Sequence, residues 1–231
     1  MSGPLDALSL SNISVFRNLT PAELGKLSSL MRCMVFPADA NIMTVEQPGE
    51  VVYVVRSGTV KIHVEQADGS DVILAILGAG EVVGEISIFD RVGRSANVVT
   101  MEECSLCWMD SAGFSECVRT MPQLALNLLS VLARRLRLAD AQIQSLAALD
   151  VYGRVARQLL AFADEYGEEQ SDGGTLIPLR LTQSDLADLT GATRVRVNQV
   201  LVDYKERGYL STGPNHRITI QDREALARRY R

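Results

Sequence analysis

The chain has 231 residues, with 47% apolar and 22% charged side chains, which suits one large or two modest globular domains and excludes a disordered or low-complexity protein. No run of roughly 18 apolar residues occurs, so a membrane-spanning helix is not expected. The net charge of −5 argues by itself against a nucleic-acid binder, but residues 1–110 hold 7 Lys+Arg against 14 Asp+Glu, while residues 178–231 hold 10 against 6; an acidic front and a basic tail suggest a sensor joined to a segment that meets phosphates.

The stretch Met1 to Ser11 has neither a basic start nor an apolar core, so no secretory signal is expected and a cytoplasmic location is the default. Thr20 can cap a helix that opens with Pro21, and Glu23 completes a capping box, predicting a helix to about Met31. From Met34 to Met109, short apolar runs alternate with turns at Pro48-Gly49, Ser57-Gly58, Asp68-Gly69, Gly78-Ala79-Gly80 and Gly93. Val51–Val55, Thr59–Glu65, Val72–Leu77, Ala96–Met101 and Ser105–Met109 read as strands, with Val60, Ile62 and Val64 in period-2 alternation. Many short strands at this spacing make a barrel, roll or sandwich. Of the four cysteines only Cys104 and Cys107 are close in sequence, so no disulfide framework is expected. On one strand these two point to opposite faces, which disfavours a metal or redox site.

Within this stretch, residues 80–96 place Gly84, Glu85, Arg94 and Ser95 together. Gly84 permits close backbone approach to a ligand, amides at the start of a short helix after it can hold an anion, and Arg94 offers a bidentate fork for a phosphate. Glu85 can accept from a sugar hydroxyl. Taken alone, an Arg–Glu pair in a β protein also reads as a structural ion pair.

Beyond Ser111 the period is helical. Leu129, Leu132, Leu136, Ala139, Ile143 and Leu146 follow a 3-4-3-4-3 spacing, the seam of a helix that pairs with its copy; the competing reading is a core helix lying on the roll. Leu149-Asp150-Val151 breaks the pattern, Tyr152–Tyr166 resumes it, and Gly167–Thr175 reads as a surface loop. Thr182 and Asp185 form a second capping box, Gly191 suits a tight turn, and Thr193 caps a helix with Val197, Val200 and Leu201 on its apolar face. This is a helix-turn-helix pattern. Its second helix opens with Arg194, Val195, Arg196, Asn198 and Gln199, rich in types that reach base edges and phosphates. Strands at Tyr209–Ser211 and Arg217–Ile220, joined through Gly213–His216, add a wing, and Asp222 caps a last helix through Arg229. An αα-hairpin with a solvated basic face is the alternative.

Together these residues resemble the cyclic-AMP receptor/FNR (CRP/FNR) family of bacterial transcription regulators from about Phe16 to Ile220, most specifically in Gly84-Glu85-Ile86-Ser87 followed by Arg94-Ser95-Ala96. The resemblance implies an α+β protein: a cyclic-nucleotide-binding β-roll over residues 1–120, a dimerisation helix over 121–149, and a winged helix-turn-helix over 150–231. It implies that Glu85 holds the ribose 2′-hydroxyl, that Arg94, Ser95 and the backbone at Gly84 and Ile86 hold the cyclic phosphate, and that Ile62 and Leu74 line the pocket. Ser87 and Ala96 belong to the same cassette, and Arg135 approaches the phosphate or Glu85. Where cyclic-AMP-responsive members place Thr and Ser against the adenine edge, this chain has Ala139 and Asp140; Asp140 can accept from adenine or guanine, so cyclic AMP is the expected effector with cyclic GMP as the alternative.

On the DNA side the resemblance assigns guanine reading to Arg194. Val195 and Gln199 replace the family's Glu and Arg, which points to a different half-site, with Val195 suited to a thymine methyl. Thr182, Gln183, Arg196 and His216 fit phosphate contacts, and Leu149, Asp150 and Val151 the hinge. Nothing before Cys33 supplies the cysteine cluster of the family's iron–sulfur sensors, and His63 reads as a strand residue, with a haem site as the alternative. The expected protein is a homodimer on a pseudo-palindromic double-stranded DNA site, with RNA polymerase as a further partner and no metal or membrane. No P-loop, metal-ligand spacing or nucleophile–base set suggests an enzyme. Rival readings are a family member that is constitutive or senses another effector, and a ligand-binding module acting through protein contacts.

Overall fold

A computed structural model describes residues 10–230 except 12, 46, 68–70 and 91–92; the expected turn at Asp68-Gly69 and most of the Met1–Ser11 stretch lie outside the described residues. The fold is α+β. The chain divides into two compact units, one gathering the chain up to Val64 with Ala75–Leu136, the other Glu65–Leu74 with everything from Arg137 onward.

In the first unit, α1 (Pro21–Leu30) starts as expected: Thr20 accepts from the Glu23 amide and the Glu23 carboxylate accepts from the Thr20 amide. Eight strands follow, of which β4 and β5 run past the boundaries of the first unit: β1 (Arg32–Phe36), β2 (Asn41–Met43), β3 (Val51–Ser57), β4 (Val60–Glu65), β5 (Asp71–Leu77), β6 (Val82–Val83), β7 (Asn97–Thr100) and β8 (Cys104–Asp110). They form two four-stranded sheets, ordered β1-β8-β3-β6 and β2-β7-β4-β5. Between the sheets lies a core of Met43, Val55, Val60, Val83, Val98 and Leu106 with Cys104. The other face of the first sheet, with Val52, Val54, Val82, Cys107 and Met109, packs against Phe16, Leu27, Phe114 and Leu124. Those last residues come from a 3-10 turn (Ser14–Phe16), α1, α3 (Ser111–Thr120) and α4 (Pro122–Ala148). A five-residue helix, α2 (Ile86–Asp90), follows β6.

One expectation fails here. Cys33 and Cys107 are direct cross-strand partners on β1 and β8, joined as a disulfide with Cα atoms 4.0 Å apart. Their separation of 74 residues hides the pair from spacing arithmetic; only strand register brings them together. Cys104 is free and buried in the opposite core, as strand alternation requires.

Helix α4 has 27 residues. Its buried stripe is Leu124, Leu128 and Val131, whereas Leu129, Leu136 and Ile143, spaced by sevens, are 62%, 64% and 65% exposed. No described helix is long and apolar enough to cross a membrane. In the second unit, Asp150 accepts from the Gly153 amide at 2.8 Å and caps α5 (Val151–Tyr166). Helices α6 (Gln183–Thr190) and α7 (Arg194–Glu206) follow, then β11 (Leu210–Thr212), β12 (Ile218–Ile220) and α8 (Arg223–Ala227), which ends two residues before the expected Arg229. The loop expected at 167–175 is instead a hairpin of β9 (Glu168–Glu169) and β10 (Thr175–Ile177), completing a sheet ordered β11-β12-β10-β9.

Gly191 ends α6 in the left-handed region, at φ 57° and ψ 46°. An alanine there meets a conformational penalty of about 1–2 kcal/mol, and its Cβ would lie 3.1 Å from a Leu146 methyl. Gly191→Ala is therefore expected to lower the unfolding free energy of this unit by about that amount. Gly191→Asn should cost less; urea unfolding followed by circular dichroism checks both, and equal stability of all three proteins would refute the strain argument.

Candidate functional site

Gly84 directly follows strand β6, and its φ of +86° favours glycine. A Cβ there would sit 2.5 Å from Arg94 Nη1, 2.8 Å from Met43 Cε and 2.9 Å from the Val51 carbonyl oxygen. The missing side chain is what lets the loop pass beside the guanidinium. Arg94 is only 8% exposed. Its Nη1 donates to the Gly84 carbonyl and to Ser87 Oγ, both at 3.1 Å, and Nη2 donates to the Val51 carbonyl at 2.7 Å. Its Nε is buried without a hydrogen-bond partner. Among the described residues no carboxylate forms an ion pair with Arg94, so a nearly buried cation is held by neutral oxygens. Burial pulls its pKa below the usual arginine value, with Tyr53 and Glu85 opposing.

Glu85, next in sequence, is 1% exposed and engaged elsewhere. Arg135 of α4 donates from Nη1 to Glu85 Oε1 at 2.6 Å, and from Nη2 to Glu81 Oε2 at 2.7 Å and to the Val82 carbonyl at 2.6 Å. Arg134 donates to Glu81 Oε1 at 2.6 Å. For Glu81, burial is the largest single influence and pushes the carboxyl up, but Arg135 and Arg134 together outweigh it and hold the carboxyl below its ordinary value. For Glu85, burial prevails over Arg135 and the carboxyl is raised. Glu81 and Arg134 were not singled out in the sequence; the available signal was Glu81 and Glu85 flanking one short strand, opposite adjacent arginines on a helix.

The structure thus gathers Gly84, Ser87 and Arg94 in one hydrogen-bonded group and joins Glu85 to Arg135. Ile62 is half-buried on β4, Ala96 is buried before β7, and Ser95 is exposed. Ile86 at the start of α2 is 44% exposed and Leu74 on β5 is 50% exposed. Ala139 and Asp140 follow Arg135 on α4 with exposed side chains.

In the second unit, Thr182 caps α6 with a capping box to Asp185, and Thr193 accepts from the Arg196 amide to cap α7. Val197, Val200, Leu201 and Tyr204 bury one face of α7. Tyr204 donates to the Tyr152 carbonyl at 2.9 Å, and burial pushes its hydroxyl up to about 12. The opposite face shows Arg194, Val195, Arg196, Asn198 and Gln199, with Val195 67% exposed. Gln183 donates to Asn198 Oδ1 at 2.7 Å, and Arg196 donates to Gln199 Oε1 at 3.1 Å. Because arginine only donates, that contact turns the Gln199 amide nitrogen outward. The Thr182 hydroxyl donates to Asp185, so it already serves the cap. His216 stands exposed at the wing turn, where Asn215 and His216 adopt φ 55° and 57°.

Comparison with known proteins matches residues 33–121 to the cyclic nucleotide-binding domain family and residues 153–229 to the Crp-like helix-turn-helix domain family. The chain is 34% identical to the CRP-like cAMP-activated global transcriptional regulator of Mycobacterium tuberculosis, over 96% of this chain and 98% of that one. It is 32% identical to the cyclic AMP receptor protein of Thermus thermophilus, over 91% and 93%. The chain belongs to the CRP/FNR family of transcription regulators. FixK2 from Bradyrhizobium japonicum, at 22% identity and a TM-score of 0.74 over 86% of this chain and 96% of that one, shares the fold. As a CRP/FNR regulator the chain carries a cyclic-nucleotide-binding domain and a DNA-binding helix-turn-helix, and its family consists of regulators rather than enzymes. Of the site residues described above, Arg134, Arg135, Ala139, Asp140 and Tyr152 lie outside the two matched segments, as does the Leu149–Val151 break.

A raised pKa means that the folded protein binds a proton at Glu85 more tightly than the unfolded chain does. Its stabilising contribution is present below the ordinary value of 4.5 and is lost as pH rises through the raised value. Glu81 has the opposite sign, contributing above 4.5 and losing its contribution as pH falls through its lowered value. The nucleotide-free Glu85→Gln protein should therefore gain stability relative to the parent as pH rises from 4.5 toward neutrality. Thermal unfolding across that window checks it; a relative loss would show that Arg135 outweighs burial.

Proposed function

We propose that this CRP/FNR regulator is a homodimer whose affinity for a pseudo-palindromic DNA site is set by cyclic AMP bound in the β-roll. The observation that carries the reading is Arg94: a cation 8% exposed, with no carboxylate pair among the described residues and a glycine whose missing side chain lets the loop lie against it. Leaving such a charge unneutralised costs several kcal/mol, and a cyclic phosphate supplies the missing anion. Glu85 takes the ribose hydroxyl, Ser95 and the Gly84 and Ile86 backbone assist the phosphate, and Ile62, Leu74 and Ala96 flank the ligand. The base meets Ala139 and Asp140. The cyclic-AMP dependence named for the Mycobacterium tuberculosis and Thermus thermophilus relatives favours cyclic AMP over cyclic GMP as the effector.

The exposed heptad of Leu129, Leu136 and Ile143 supports a dimer through α4, with the roll (1–120), the dimer helix (121–149) and the DNA-binding segment (150–231) as working parts. Ligand occupancy shifts the balance between two arrangements of the paired helices, transmitted at Leu149, Asp150 and Val151. The two α7 helices then address successive major grooves about 34 Å apart. Arg194 reads a guanine, Val195 packs on a thymine methyl, and Arg196, Gln183 and His216 position phosphates. Such a protein works in the cytoplasm, with RNA polymerase as a further partner.

Isothermal titration with cyclic AMP and cyclic GMP tests the effector. Arg94→Leu should weaken cyclic-AMP binding roughly tenfold or more, since it removes a charge-assisted pair; unchanged affinity would falsify the assignment, and absence of binding by the parent would move the regulator to constitutive or non-nucleotide control. On the DNA side, Arg194→Ala should cost about 1–3 kcal/mol at one base position and relax specificity there. A binding-site selection experiment reads this, and a uniform loss over all sequences would make Arg194 a phosphate contact only.

A further inference from the structure

The Cys33–Cys107 disulfide belongs to no part of the nucleotide or DNA reading. It closes the outer edge of the first sheet, where β1 has a single neighbour, β8. Cys33 is partly buried on that edge strand, and Cys107 is 1% exposed in the core beneath the helices. Cys33 is therefore the more solvent-accessible residue of the two.

The pair also ends a continuous transverse row. Cys33 faces Cys107, Cys107 faces Val54, and Val54 faces Val82, crossing all four strands of the sheet in register. Directly paired residues share a sheet face, and Cys107, Val54 and Val82 lie in one core. Val82 accepts Arg135 through its carbonyl and stands two residues before Gly84. The disulfide thus terminates a row whose other end carries the nucleotide cassette.

We propose that Cys33 and Cys107 are a reversible thiol–disulfide couple, entered at Cys33 by a low-molecular-weight thiol or disulfide, that stiffens the cassette end of the row when closed. In the reducing direction a thiolate attacks the Cys33 sulfur, the protein S–S bond breaks, and Cys107 leaves as a thiolate and takes up a proton. A second thiol then releases Cys33 from the mixed disulfide, so two thiols leave as one small disulfide and two protein thiols remain. In the oxidising direction the Cys33 thiolate attacks a small disulfide, whose S–S bond breaks to release one small thiol; the Cys107 thiolate then attacks the Cys33 sulfur of the mixed disulfide and displaces the second small thiol. A disulfide in a protein that acts on DNA meets reducing thiols, where such bonds are typically transient or sensory rather than structural. With the bond open, β1 is held to β8 by ladder hydrogen bonds and packing alone.

The test equilibrates the native full-length protein in glutathione buffers of varied thiol-to-disulfide ratio, quenches with acid, alkylates and maps peptides. A linked Cys33–Cys107 peptide should dominate under oxidising ratios and disappear under reducing ones, with circular dichroism unchanged. A bond that resists excess thiol until the chain is unfolded, or thiols that stay open under oxidising ratios, would overturn the couple. Cys33→Ser should abolish the linked peptide while leaving the fold intact, and any Cys107 cross-link that persists to another cysteine contradicts the pairing. Amide exchange of a peptide covering residues 82–85 should be roughly twofold or more slower in the closed form; equal exchange would overturn the link to the cassette. Neither readout needs a nucleotide, so a protein that binds no cyclic AMP would fail the functional reading while this test still decides the couple.

Discussion

Burying a guanidinium is costly unless an anion or a full set of acceptors meets it, and Arg94 has only part of such a set. Two carbonyls and a hydroxyl hold its terminal nitrogens while its Nε finds nothing. Glu85, the carboxylate beside Gly84 in the same loop, is paired to Arg135 instead. The roll thus keeps a cation and an anion close together in the chain yet hydrogen-bonded to different partners, an arrangement that favours a ligand bringing a phosphate to one and a hydroxyl to the other. The rest of the sensor serves this separation. Gly84 removes the Cβ that would collide with Arg94, and β6 holds Val82, whose carbonyl anchors Arg135.

The DNA-binding unit rests on local constraints of another kind. Two threonine caps and one left-handed glycine set the course of the chain from α6 into α7 before any tertiary contact is counted. Packing of Tyr204, Leu201 and Val197 then decides which face of α7 is left exposed. Side-chain contacts refine that face: Arg196 orients Gln199, and Gln183 engages Asn198. Arg194 and Val195 consequently carry most of the unconstrained chemistry on this surface.

What could be read from the sequence was what is local. Capping boxes at Thr20 and Thr182, the turn at Gly191 and the period-2 strand at Val60–Val64 depend on neighbours within a few residues, and each stands where expected. The cassette was legible because its residues cluster between Gly84 and Ala96. Long-range facts were not. The Cys33–Cys107 pair depends on the register of two strands separated by most of the roll, and the Arg134–Glu81 contact on which turn of α4 passes β6. The β9–β10 hairpin was missed because polar, glycine-rich composition signals a turn but says little about two-residue strands flanking it.

The same network shows how a ligand at Glu85 would reach α4. Arg135 is shared by Glu85, Glu81 and the Val82 carbonyl, so any group that competes for Glu85 alters the pull on a helix already tied to Glu81 through Arg134. A ligand shifts a conformational balance only by its difference in affinity for the two states. Contacts confined to Arg94 would add affinity without direction, because Arg94 is hydrogen-bonded to loop, strand and cassette but not to α4. Contacts at Glu85 supply the direction, since their strength depends on where Arg135, and with it α4, stands. Under the proposed reading the phosphate would provide most of the binding and the sugar hydroxyl most of the switching, which would separate the affinity of the site from its allosteric output.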